Sequence, residues 1–259
     1  MSKIGVAIIM KNNTKKILLA LYNQNKQLPS PLSVQQLQRV VPTLSNGGFR
    51  SLLHVLAKQG LLTTQRVLQK TTVNISQQGM LSLEVEFPAL SQKWDTWAGS
   101  WECLVFLGSP PFDKQFRYLR TQLISQGAFS VNRGVYLAPG AFSDVILQEC
   151  QRRYHAHVLL FKVADWKVAT EASFIIEKYG LLDVAEAYSG ISSDVNRLLE
   201  SSEYKKGLIY KDKNAISLAY DRVASVLLED PGFCLFYFPS VVSVKKLLVS
   251  LHNLLQALE

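Results

Sequence analysis

Apolar residues recur at helical intervals near the N-terminus, and this spacing limits the folds open to the chain more than any other feature. It predicts three short helices, at 13–24, 34–41 and 46–59. The third follows a tight turn and has Ser45 or Asn46 as its N-cap. Two short helices, a turn and a third helix are typical of a helix-turn-helix.

Strand-like segments follow the third predicted helix. Residues 61–68 form the first, a turn lies near Gln69–Lys70, and residues 71–79 lead into a further strand-like segment at 80–87. A β-hairpin directly after a helix-turn-helix is a wing. We therefore predict a winged helix-turn-helix domain over residues 1–88.

Charge is distributed unevenly along the chain. The first 83 residues contain ten Lys or Arg and no Asp or Glu, and residues 1–90 supply the whole net charge of +8, because only Glu84 and Glu86 oppose those ten. Residues 91–259 carry 18 charges of each sign. Positive charge confined to one end of a chain favours a polyanionic partner, of which nucleic acid is the most abundant, over a merely solvated basic surface.

The third predicted helix has one apolar side, formed by Phe49, Leu52, Leu53 and Leu56 at helical spacing. The remaining surface carries hydrogen-bond donors and no acid, and Arg50 is suited to a guanine edge. The predicted contacts with double-stranded DNA, in the helix and in the wing, are Ser45, Asn46, Arg50, Ser51, His54, Lys58, Arg66 and Lys70. A winged helix that docks a protein remains an alternative.

Strand-like and helical patterns alternate in the middle of the chain, over the predicted domain 89–166. After an entry segment containing Trp94, Trp97 and Trp101 we expect, in order, strand 102–108, helix 112–126, strand 129–139 with a kink at Arg133-Gly134, helix 143–155 and strand 157–166. On the first helix, Phe116, Leu119, Leu123 and Ile124 are expected to face inward. This order predicts a ferredoxin-like domain in which two helices cover one face of a small sheet.

The stretch 97–139 resembles the middle domain of the PaaX-like transcriptional regulators, the repressors of phenylacetic-acid operons. The matching residues are Trp97, Gly99, Trp101, Arg117, Leu119, Arg120, Leu123, Gly127, Gly134, Val135, Tyr136 and Pro139. Asp230-Pro231 resembles a further family segment. The family also has an N-terminal winged helix and a helical C-terminal domain, so the resemblance covers most of the chain.

The resemblance implies a homodimeric repressor whose affinity for DNA is lowered by an acyl-coenzyme A thioester. We expect the effector site between the central and C-terminal domains, where aromatic surface and cationic donors would meet. The residues predicted to form it are Trp94, Trp97, Trp101, Arg117, Arg120 and Arg133.

The predicted central fold is also similar to the small metal-dependent nuclease of CRISPR adaptation complexes. That family has an Asp at the end of its first strand, where this chain has Val105, Phe106, Leu107 and Gly108, and the next carboxylate is Asp113. A metal-dependent phosphodiesterase needs acidic oxygen ligands near the scissile phosphate. The missing carboxylate argues against a nuclease, which is kept as an alternative function. We expect the protein not to be an enzyme.

The rest of the chain, 167–259, is predicted to be a helical domain. Helices are expected at 168–179, 181–188, 193–201, 213–229 and 240–258. The last has an apolar stripe that could contribute to a dimer contact.

Neither a catalytic nor a metal-binding motif is present in the sequence. His155 and His157 have no third ligand spaced near them, and the three cysteines are widely separated, which favours core packing over a disulfide framework or a zinc motif. No apolar run is long enough to cross a bilayer, so the expected compartment is the cytoplasm, and we expect neither a cofactor nor a membrane partner.

Overall fold

The computed structural model describes residues 10–22, 31–67, 70–108, 114–168, 170–200 and 214–257, and it has a mixed α+β fold. The α-helices are α1 Asn12–Leu21, α2 Val34–Gln38, α3 Asn46–Lys58, α4 Gln77–Glu86, α5 Lys114–Ser125, α6 Asp144–Tyr154, α7 Glu171–Tyr179, α8 Leu181–Glu200, α9 Ala215–Glu229, α10 Cys234–Tyr237 and α11 Val244–Gln256. The strands are β1 Leu32–Ser33, β2 Leu62–Val67, β3 Lys70–Ile75, β4 Trp101–Phe106, β5 Phe129–Asn132, β6 Val135–Pro139 and β7 Val158–Val163. Short 3-10 turns span Pro88–Leu90 and Gln92–Asp95.

The chain divides into two compact units. One contains residues 1–91 and 176–259, and the other contains residues 92–175. The segments 1–88 and 167–259, which the sequence suggested as two separate domains, therefore contribute to one unit over most of their length.

The N-terminal part of the first unit contains α1 to α4 and an antiparallel sheet of strand order β1-β3-β2. Local hydrogen bonds explain where two of these helices begin. The Ser33 hydroxyl accepts from the Gln36 amide at 3.2 Å and the Gln36 side chain accepts from the Ser33 amide at 2.8 Å, which is a capping box at the start of α2. The Ser45 hydroxyl accepts from the Gly48 amide at 3.2 Å and caps α3.

The prediction of a strand over 80–87 is wrong, because this segment lies within and just after α4. Its apolar residues alternate with a period of two, as in a strand, but Leu81 and Val85 are 57% and 72% exposed while Leu83 is buried. The Ser76 hydroxyl accepts from the Gly79 amide at 2.9 Å and so caps the helix. The cap and the packing of one helix face outweigh the alternating pattern.

Helices of the C-terminal segment pack against α1. The Lys16 ammonium lies among them, 2.9 Å from the Ser217 hydroxyl and 3.0 Å from an Asp221 carboxylate oxygen of α9. The buried His252 of α11 has its Nδ1 3.2 Å from the Ala20 carbonyl oxygen. The first and last thirds of the chain thus share one core.

Residues 181–188 and 193–201 were predicted as two helices, but 181–200 is a single helix, α8. Gly190 lies in its interior, where a Cβ would be 3.4 Å from the Arg222 guanidinium of α9. The glycine therefore allows close approach of a neighbouring side chain and does not end the helix. Residue 201 lies outside the described residues.

The second unit has the element order β4-α5-β5-β6-α6-β7 and an antiparallel sheet of strand order β5-β6-β4-β7. The single kinked strand predicted over 129–139 is wrong, because Asn132 ends β5, Val135 begins β6, and the two strands pair as a hairpin. Gly134 has φ +81°, which favours glycine, and it allows the chain to reverse.

Helices α5 and α6 share a core with β4 and β6 of this unit. The buried members of the core are Leu104, Phe106, Phe116, Leu119, Leu123, Ala128, Tyr136, Ala138, Phe142, Ile146, Cys150 and Tyr154. Ile124, which was expected to face inward with Leu123, is 46% exposed. It lies one position beyond Leu123, on the edge of the apolar stripe that turns toward solvent.

Candidate nucleic-acid interface

Helix α3 has one buried side and one exposed side. Phe49, Leu53 and Leu56 are buried, and they fix the rotation of the helix about its axis. The predicted contact residues of this helix and its cap are exposed: Ser45, Asn46, Arg50, Ser51, His54 and Lys58. Most of the predicted contact face of α3 is therefore accessible to a partner.

Two of these predicted contacts also have a structural role. Ser45 is the N-cap of α3, as described above. The Asn46 side-chain oxygen accepts a hydrogen bond from the Gln38 amide group, which joins the end of α2 to the beginning of α3. Both side chains hold the turn between the helices.

A groove of about 740 Å³ lies between α2, α3 and the β2–β3 hairpin. We call it the basic groove, because its lining includes Arg39, Arg50, His54 and Lys70 and contains no carboxylate. Its other lining residues are Ser33, Val34, Gln35, Gln36, Leu53, Ala57, Thr64 and Thr71. Ser51 and Lys58 of α3 are not part of this lining.

The hairpin supplies the remaining predicted contacts. Arg66 on β2 pairs in register with Thr71 on β3, and the side chains of Arg66 and Lys70 are exposed. Lys70 lines the basic groove and Arg66 does not. The predicted turn near Gln69–Lys70 lies partly outside the described residues, since Leu68 and Gln69 do.

The two acids of the N-terminal segment contact α1 and the residue that follows it. Glu86 forms an ion pair with Lys15, and the Tyr22 hydroxyl lies 3.3 Å from a carboxylate oxygen of Glu84. Neither acid lines the basic groove. Among the described residues, Arg50 forms no ion pair, so its charge is available to an external anion.

Sequence reasoning missed Arg39 and the polar side chains that complete the groove. Arg39 follows α2 directly and lines the same groove as Arg50 because α2 packs against the sheet. The predicted contacts include only α3, its N-cap and the wing, so Arg39 at the end of α2 is absent from them. The lack of acids throughout residues 1–83 was the available signal.

The six residues of the predicted effector site belong to the second unit, where the tryptophans form one cluster. Trp97 makes edge-to-face contacts with Trp94 and Trp101, at ring-centroid distances of 5.8 and 5.7 Å. Trp101 is buried, and its indole N–H donates to Glu171 at 2.8 Å. The cluster thus includes one tryptophan that belongs to the core of the unit.

One of the predicted effector arginines, Arg133, lies away from Trp101. Trp101 pairs with Pro139 at one end of β4, whereas Val105 pairs with Val135 at the other end, next to the turn that contains Arg133. Arg117 and Arg120 are on the exposed side of α5. The described structure therefore does not bring Trp101 and Arg133 together.

The position that carries an Asp in the adaptation nucleases is apolar here. Phe106 ends β4 and packs against Phe116 at a ring-centroid distance of 4.9 Å, while Asp113 lies outside the described residues. In the described ranges, no three His, Cys, Asp or Glu side chains are grouped so that they could hold a metal ion. None of the described helices combines the length and the apolar character needed to cross a membrane.

Comparison with solved structures supports the mixed α+β fold. The chain is similar to the uncharacterized protein Rv0674 from Mycobacterium tuberculosis, with a TM-score of 0.51 and 15% sequence identity over 93% of each chain. At this identity the likeness extends to the fold alone. No protein-family model and no curated protein matches the chain.

Proposed function

We propose that the protein is a sequence-specific DNA-binding transcriptional regulator that acts as a repressor. The observation that carries this proposal is the basic groove beside the exposed face of α3. Cationic side chains from α3, the end of α2 and the hairpin converge there without a carboxylate. Such a surface suits the phosphates of a duplex, which supply most of the affinity of non-specific DNA binding.

The element order of the N-terminal segment supports a winged helix-turn-helix. Helices α1, α2 and α3 precede the β2–β3 hairpin, and the short β1 completes the three-stranded sheet. In this proposal α3 is the recognition helix and the hairpin is the wing. The β-α-β-β-α-β order and antiparallel sheet of the second unit support a ferredoxin-like domain, and α8 to α11 form a helical C-terminal part.

Membership of the PaaX-like regulators is part of the proposal, and it rests on the sequence stretch 97–139. The proposal therefore includes a homodimer that acts in the cytoplasm and that an acyl-coenzyme A thioester releases from DNA. The two rival functions, a metal-dependent nuclease and a protein-docking winged helix, predict different behaviour toward duplex DNA.

The test is fluorescence anisotropy with a duplex isolated by selection from a random-sequence library. Wild-type protein should bind it with an affinity that falls steeply between about 50 and 200 mM salt. A variant with Arg50→Glu and Lys70→Glu should bind at least about 100-fold more weakly, because like charges placed together cost several kcal/mol. Lys114→Glu is the control for charge reversal, since it reverses one positive charge at an exposed site in the second unit, and it should leave binding unchanged.

Other outcomes identify the rivals. Cleavage of the duplex that requires Mg²⁺ or Mn²⁺ would favour the nuclease over the regulator. Failure to bind any duplex at about 50 mM salt would favour the protein-docking module.

A further inference from the structure

We infer that the basic groove holds one sugar–phosphate strand of the duplex, and that the bases are read by the ridge of α3 on the other side of Arg50. This inference rests on the proposed function and deepens it. It assigns Arg50 and His54 to the DNA backbone, whereas the sequence suggested Arg50 as a reader of guanine. It assigns Ser51 and Lys58 to the bases.

The rotation of α3 separates these two sets of residues. Successive residues of an α-helix are 100° apart about its axis, and Leu53 lies on the buried side. Arg50 is about 60° and His54 about 100° from Leu53 about the axis, and both line the groove beside α2 and the hairpin. Ser51 and Lys58 are about 20° apart from each other, and they point away from the buried side.

The shapes of the two surfaces match the two parts of a duplex. Phosphates form the raised edges of the major groove, and base edges are recessed between them. A concave surface with cations on several walls can enclose a phosphate strand, whereas only a protruding ridge can reach the bases. The basic groove has the first shape, with Arg39, Arg50 and Lys70 supplied by three different elements.

The side chains of the two surfaces also differ, with phosphate-binding groups in the groove and base-reading groups on the ridge. Hydroxyls of Thr64 and Thr71 accompany the cations in the groove, and such donors contact phosphate without reading sequence. The outer ridge carries Gly47, Ser51, Val55 and Lys58, and Val55 is 46% exposed. Small residues allow close approach, while a hydroxyl, a methyl pair and an ammonium group discriminate among base edges and the thymine methyl.

Arg50→Gln and Lys58→Gln provide a matched test. Each variant removes one positive charge from an exposed position of α3, and circular dichroism is used to check that each remains folded. Each variant and the wild type are used to select duplexes from a random library. The affinity of each protein is then measured for the wild-type consensus and for a scrambled duplex, at several salt concentrations.

We expect Arg50→Gln to select the wild-type consensus and to weaken binding to both duplexes about equally, by roughly tenfold, with a salt slope lower by about 0.9. We expect Lys58→Gln to relax the preference at one or more base positions and to bind the scrambled duplex within about twofold of wild type. A changed consensus for Arg50→Gln, or an unchanged one for Lys58→Gln, would overturn the inference. If the wild type enriches no sequence at all, the proposed function itself fails, and the two failures are thereby distinguished.

Discussion

At the scale of single residues, Asp230 shows how the fold accommodates a buried carboxylate. It accepts hydrogen bonds from the Tyr188 hydroxyl at 2.9 Å and from the Gly232 amide at 2.8 Å. Burial raises the pKa of Asp230 above its ordinary value, while these donors act in the opposite direction. Asp230 therefore joins α8 to the turn that follows α9.

Tyr188→Phe should destabilise the protein by about 1.5–3 kcal/mol at pH 7, the usual contribution of a hydrogen bond to a charged group. Because the folded pKa of Asp230 is raised, the stability contributed by this carboxyl is fully present at low pH and is lost as the pH rises through that pKa. Removing the hydroxyl raises the pKa further, so the penalty should be larger at pH 7 than at pH 4. Urea unfolding of the wild type and the variant at pH 4 and pH 7 measures this loss of stability.

Tyr220→Phe is the control for that measurement. The Tyr220 hydroxyl is buried and has no hydrogen-bond partner among the described residues. Its removal should be neutral or stabilising, because no bond is lost. Equal losses for the two variants at both pH values would contradict the role assigned to Tyr188.

Gly79 occupies a position where a side chain does not fit. A Cβ there would lie 2.2 Å from the Leu61 carbonyl oxygen, which belongs to the backbone and cannot rotate away. Gly79→Ala should therefore cost about 1–3 kcal/mol through overpacking. Gly47→Ala should be stabilising by about 0.4–1 kcal/mol, because Gly47 is also in the first turn of a helix and a Cβ there would have no neighbouring atom within 4 Å. Thermal unfolding that ranked the two variants in the opposite order would refute this.

At the scale of elements, α1 holds the N-terminal and C-terminal segments together. It contacts α4 and β3 of the N-terminal segment, and it also contacts α9 and α11 of the C-terminal segment. Lys16 is its only described lysine with a buried side chain, at 7% exposure. A cation this deeply buried needs the oxygens of Ser217 and Asp221 to offset its loss of hydration.

Lys16→Met should destabilise the first unit by about 1–3 kcal/mol, because the Ser217 hydroxyl loses its partner and Asp221 loses its cation. Lys11→Met removes the same charge from an exposed position and should change stability by no more than about 0.5 kcal/mol. Chemical denaturation of both variants provides the comparison. Equal effects would mean that the buried contacts contribute nothing specific.

At the scale of the whole molecule, the net positive charge lies within residues 1–90, whereas the charges of residues 91–259 balance. We expect these two parts of the chain to have different partners. The charged N-terminal segment is proposed to bind DNA, and one winged helix reads only a few base pairs. We therefore expect a homodimer that spans two half-sites, with the second unit and the C-terminal helices providing the contact. Sedimentation at micromolar concentration should give twice the 29.1 kDa chain mass. A strictly monomeric protein that binds a single half-site tightly would contradict the dimer.

The proposed effector has its own test. Among a panel of acyl-coenzyme A thioesters, one at about 100 times its dissociation constant should stabilise the protein by about 2.7 kcal/mol and release it from the selected duplex. Coenzyme A without an acyl group is the control and should have a smaller effect. If no thioester changes the melting temperature or the DNA affinity, the protein binds DNA constitutively.

Local sequence signals determined the helices of the candidate site. Ser45 and the spacing of Phe49, Leu53 and Leu56 were sufficient to predict α3 and its exposed side, because a cap and a period of 3.6 residues involve only near neighbours. The absence of acids over residues 1–83 likewise favoured a positive surface around α3, and the tertiary structure decided that no carboxylate from the described part of residues 176–259 lines the groove beside it.

Tertiary structure decided the features that depend on distant partners. The alternating pattern of 80–87 fits a strand as well as a helix with one buried face, and packing against α1, together with the Ser76 cap, favours the helix. Arg39 and Lys70 join Arg50 in one groove because three elements meet there, and Lys16 meets Asp221 across 205 positions of sequence. Such contacts depend on the balance of burial and chain entropy over the whole fold, which no local pattern contains.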